Sequence, residues 1–120
     1  MSQLIAHLIG DYVLQNHWMA NNKTKAWLPA ILHVLLYGIP FLVLGANFWQ
    51  WLIIVSTHLI IDHYRLAQYW VDFWGTGKPG WLSKQFGSPT PDAPPFLSVW
   101  LLIIVDNTMH LTINYLVLLT

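Results

Sequence analysis

Three histidine–aspartate pairs carry the chemistry of this sequence: His7 with Asp11, His58 with Asp62 and, in reversed order, Asp106 with His110. Within each pair the residues are four apart, a spacing that stacks both side chains on one face of a helix. Imidazole nitrogen and carboxylate oxygen, in a chain with no cysteine, make a donor set for a divalent transition metal. Zinc, manganese or iron suits that mixture better than calcium or magnesium, which favour oxygen alone. With His33 added, the candidate ligands are His7, Asp11, His33, His58, Asp62, Asp106 and His110, enough for one or two ions. Gln15, Asn107 and Asn114 fall where they would hydrogen-bond such ligands from outside. One pair alone would more simply be a hydrogen bond within a helix, and His33 alone a packing residue; three pairs point to a shared site. His63 faces about 100° away from Asp62 and is expected to touch a loop or headgroups. His17 is expected at an interface.

The surroundings of these residues are apolar. Of 120 residues, 56% are hydrophobic and only 8% charged, with eight Trp. A soluble domain of this composition would expose far more contiguous apolar surface than monomers tolerate. An integral membrane protein is expected, all-α and forming one domain over residues 1–120. The five acids are all Asp, and three of them, Asp11, Asp62 and Asp106, lie inside apolar segments. Net charge is zero, which gives no electrostatic footprint for nucleic acid. The bilayer itself, and other membrane subunits, are the expected partners. The first segment has no basic start, so no cleavable signal peptide is expected.

Four segments are expected to span the membrane as an antiparallel four-helix bundle, at about 4–20, 27–44, 49–69 and 96–119. The first is short, with His7, Asp11 and Gln15 as a polar stripe. The second should kink or fray at Gly38 and Pro40. A Gly-, Pro- and Trp-rich loop over 70–95 suits the headgroup region. Lys23 and Lys25 lie in the first loop, Arg65, Lys78 and Lys84 in the third, and none in the second. The positive-inside rule then puts both termini on the outer side of a cytoplasmic membrane.

Depth ties the pairs together. The first and third segments run from outside to inside and the fourth runs back, so its reversed order keeps every paired histidine outward and every aspartate inward. At 1.5 Å per residue the aspartates fall about 12–15 Å from the cytoplasmic ends, the paired histidines about 18–21 Å and His33 about 9 Å. Three unpaired ionised aspartates at mid-membrane would cost roughly 8–10 kcal/mol on insertion scales. A divalent cation offsets that cost.

At these residues the chain resembles a family of bacterial and phage membrane proteins, the domain-of-unknown-function family numbered 3307. The likeness rests on the stretch from His7 to Gln15, on Trp18-Met19-Ala20 with the lysines after it, on His33, and on the segments His58–Asp62 and Asp106–His110. It covers all four expected helices and omits 70–95. Asn107 stands where such proteins are expected to carry Gln, and His63 where they carry an aromatic residue. The family name implies no activity. From the residues themselves, a membrane-bound metal-dependent hydrolase is expected, with an aspartate not tied to metal as general base. The competing functions are metal-ion or proton transport and an accessory subunit of a larger membrane complex.

Overall fold

The computed structural model describes residues 2–70 and 95–120, with side chains from residue 100 onward in the second stretch. Every regular element among them is helical: α1 (Ser2–Leu8), a π-helical turn (Ile9–Val13), α2 (His17–Asn22), α3 (Trp27–Val43), α4 (Phe48–His63) and α5 (Pro95–Leu118). The all-α expectation therefore holds. The loop expected over 70–95 falls, apart from its two end residues, outside the described residues. The chain divides into two compact units, residues 1–64 with 110–120, and residues 65–109.

The segment expected as one helix over 4–20 is broken. After the π turn, closed by Leu14 N–H donating to Ile9 C=O at 2.9 Å, the chain leaves the helical path and restarts at Asn16. Asn16 is extended, and its side-chain oxygen accepts from Met19 N–H at 2.8 Å. A short polar side chain that can satisfy a free amide favours a new start over continuation. Apolar periodicity conceals such a cap. The third segment, expected to reach 69, starts at a reciprocal cap between Asn47 and Gln50 and stops at Tyr64. Arg65 follows in the left-handed region (φ 55°), and helix resumes over 66–70. α3 is helical through Gly38 and Pro40 and ends at Val43, short of Gly45 (φ 91°).

Two glycines set the closest approaches of the first unit. A Cβ on Gly10 would stand 2.5 Å from Tyr37 Cδ2, so the π turn lies directly on α3. A Cβ on Gly38 would stand 2.3 Å from Trp51 Nε1 and 2.7 Å from Val55 Cγ1, so α3 lies as closely on α4. Ala6, Tyr37, Phe41 and Ile54 form the apolar core at that level, with Val117 and Leu118 from the end of α5 against it.

Beside that apolar core several polar side chains are buried, while many apolar ones face outward. His7, His33, His58, His110 and Asn114 are at most 2% exposed, while Val13 and Val43 are 73% and 82% exposed. Among the described residues one stretch, Trp100–Leu118, is long and apolar enough to cross a bilayer. The four spans expected from the sequence are therefore not borne out by helix length, since α3 has 17 residues and α4 has 16.

Candidate metal centre

The π turn, α3 and α4 each bring ligand atoms to one buried point in the first unit. His33 comes from nearly two turns into α3, while His58 and Asp62 share the inner face of α4. Asp11 sits at the middle of the π turn, whose wider coil takes in one residue more than an α-turn and re-aims that side chain. Asp11 Oδ1 lies 3.2 Å from His33 Nε2 and 3.1 Å from His58 Nε2. Asp62 Oδ2 lies 3.3 Å from each of the same nitrogens. The two nitrogens are 3.0 Å apart.

These separations fit a metal. Four donors held at 2.0–2.1 Å around a tetrahedral zinc ion stand roughly 3.3 Å from one another. Five of the six edges here measure between 3.0 and 3.3 Å, and the sixth, between the carboxylates, is under 4.8 Å. Asp11 Oδ1 is buried with no hydrogen bond despite two ring nitrogens within 3.2 Å. Asp11 Oδ1 thus lies in the cluster without a hydrogen-bond partner, beside two ring nitrogens 3.0 Å apart. An N₂O₂ set of this kind holds a divalent transition metal without thiolate.

A second layer orients the first. His110 Nε2 lies 3.0 Å from Asp62 Oδ1, leaving Oδ2 for the centre. Asn114 Nδ2 donates to Tyr37 Oη at 2.7 Å, and Tyr37 Oη lies 2.8 Å from His7 Nδ1. With Asn114 donating to the phenol oxygen, the phenol proton goes to His7 Nδ1, and the His7 proton sits on Nε2. That nitrogen faces Asp11 Oδ2 at 3.6 Å. His58 is sandwiched between Tyr37 (3.7 Å, 24°) and His110 (3.9 Å, 28°). Stacking thus holds His58 where an outer hydrogen bond usually would, since Nδ1 of both His33 and His58 is buried and unbonded.

The expected ligands accordingly divide. Asp11, His33, His58 and Asp62 converge; His7 and His110 stand behind the carboxylates, and Asn114 behind Tyr37. Asp106 and Asn107 belong to the second unit, where Asp106 is half-buried and Asn107 Nδ2 donates to Ile103 C=O at 2.9 Å. The Gln15 side-chain oxygen is buried without a hydrogen bond. His17 accepts from Asn21 at 2.9 Å. His63 donates from Nδ1 to Lys23 C=O at 2.7 Å and stacks on Trp27 at 3.9 Å.

Two residues of the site escaped the sequence pattern. Tyr37 is one turn beyond His33 on the same face, a spacing visible in the sequence that carried no role for it there. Lys23, whose Nζ contacts Asp62 Oδ2, follows α2. Only the break at Asn16 brings it there, and no periodicity announces it.

A family profile described as a protein of unknown function, DUF3307, matches residues 1–120, and the chain belongs to that family. No curated protein and no solved structure matches it.

Proposed function

We propose that this chain is an integral membrane protein holding a divalent transition metal on Asp11, His33, His58 and Asp62, and that it is a metal-dependent hydrolase. The observation that carries the proposal is the set of five donor–donor separations at tetrahedral spacing in a buried site. Zinc is the first candidate on that geometry, ahead of manganese and iron. When bound, the ion would supply an acidified water and a Lewis acid for a carbonyl or phosphoryl oxygen. The protein's own part is to orient the donors. His110 fixes which oxygen Asp62 presents, and the Asn114–Tyr37–His7 chain directs a proton at Asp11.

The membrane placement is supported by the apolar outer surface. Leu28, Ile31, Leu35, Ile39, Val43 and Ile53 are all more than 40% exposed, a surface that lipid covers at no cost and water does not. Counting α3 and α4, of near-spanning length, together with α5, a four-span bundle requires the broken first segment to enter the bilayer as a protein-buried discontinuous helix. An open apolar cleft of about 370 Å³, lined by Ile5, Ala6, Ile9, Ile39, Pro40 and Val43, offers an acyl chain a place beside the π turn. An amphiphilic substrate fits that setting.

The test is metal content by mass spectrometry on detergent-purified protein, beside the double variant His58→Ala/Asp62→Ala. About one equivalent of a transition metal, lost in the variant, is expected. A metal-free protein that melts at the same temperature as its variant would sink the proposal. The discontinuity at Asn16, next to the buried Asp11, favours a second function, metal-ion transport, since transporters build ion sites at broken helices. Zinc flux into proteoliposomes, without turnover of any ester, would decide for it.

A further inference from the structure

Asp62 Oδ2 has two claimants. It is one of the four atoms that surround the metal position, and it is also the atom that Lys23 Nζ contacts. The ammonium arrives from the turn after α2, and the backbone of that residue is pinned, because His63 Nδ1 donates to Lys23 C=O. His63 is itself held by its stack on Trp27 at the start of α3. The Lys23 side chain is 18% exposed, against 5% for Asp62 and 1% for His33, so it lies toward the open side of the cluster.

An ammonium on Oδ2 and a divalent ion on the same Oδ2 are like charges a few ångströms apart, in a site with little solvent to screen them. Both are not held tightly at once. With its backbone clamped, Lys23 gives way by swinging its flexible stem, while the carboxylate needs only a rotation about its own bonds.

We propose that Asp62 exchanges between the metal and Lys23, and that this exchange opens the metal's fourth position. With Asp62 on the metal, four protein donors close the site, as in structural zinc centres. With Asp62 drawn to Lys23, Asp11, His33 and His58 would remain to hold an ion with one position open, the arrangement of catalytic centres. In that state the Asp62 carboxylate is held by Lys23 through Oδ2 and by His110 through Oδ1, beside the opened position. Lys23 is a positioning residue in this scheme. The inference rests on the proposed metal centre and names the residue that makes it open.

Cobalt-substituted protein in detergent tests it, with azide as the probe for a vacant position. In the unsubstituted chain, azide is expected to shift the visible cobalt spectrum. In Lys23→Met the competing charge is gone, so cobalt should bind tighter by about tenfold or more and azide should leave the spectrum unmoved. Lys23→Arg, which keeps the charge, should respond to azide and so separate charge from packing. Equal cobalt affinity and equal azide response in Lys23→Met and the parent would overturn the exchange while leaving the metal centre standing. No cobalt bound by any of the three would overturn the metal centre and the exchange with it.

Discussion

Tyr37 joins the two layers of the centre. Its ring lies on His58 at 3.7 Å and its hydroxyl sits between Asn114 and His7. Phenylalanine keeps the ring and removes only the hydroxyl, so Tyr37→Phe isolates the hydrogen bonds from the packing. Metal affinity should fall roughly 10- to 100-fold, the usual loss when an outer partner of a ligand goes, with the helical circular dichroism unchanged. Competition against a chromophoric chelator reads that affinity. His17→Ala removes a surface contact to Asn21 alone and should leave the affinity where it was.

Among the elements, the broken first segment decides most. The π turn aims Asp11, and the restart at Asn16 carries the chain through α2 to Lys23. Asn16→Ala deletes the side-chain acceptor for Met19 N–H and should cost about 1 kcal/mol in chemical denaturation. Gly10→Ala is harsher, because the added carbon meets the backbone of Tyr37 at 3.0 Å as well as its ring. The π turn and α3 must part to admit it. A loss of about 1–3 kcal/mol is expected, together with reduced metal occupancy, since Asp11 moves with the turn. An Asn16 variant that keeps full stability would show that α2 does not depend on its cap.

For the molecule as a whole, metal binding and folding are coupled. The centre gathers side chains from the π turn, α3 and α4 at a point with two buried carboxylates and few charges to balance them. A ligand that binds only the folded form stabilises it by RT ln(1 + [L]/Kd), about 2.7 kcal/mol at a hundredfold excess over Kd. Thermal unfolding in detergent should therefore move upward with zinc concentration and downward with chelator. The His58→Ala/Asp62→Ala variant should show neither response. A parent protein whose melting ignores both additions would contradict the coupling.

The local features of this chain were legible without coordinates. Composition implied helices whose few polar residues gather on inner faces, because 56% of the chain is hydrophobic and only 8% charged. The four-residue spacing marked His7, Asp11, His58, Asp62, Asp106 and His110, because helical periodicity is a property of neighbours along the chain. The restart at Asn16 was legible in principle, as an Asn three residues before Met19, yet apolar periodicity ran across it. Tertiary structure decided which partner each group takes. His110 reaches across to Asp62, His58 serves Asp11 as closely as its own neighbour four residues on, and Lys23 arrives from a turn that sequence reading used only for topology. Spacing along one helix specifies a face. Which face of another helix meets it depends on close approaches such as Gly10 on Tyr37 and Gly38 on Trp51, and those exist only once the helices have packed.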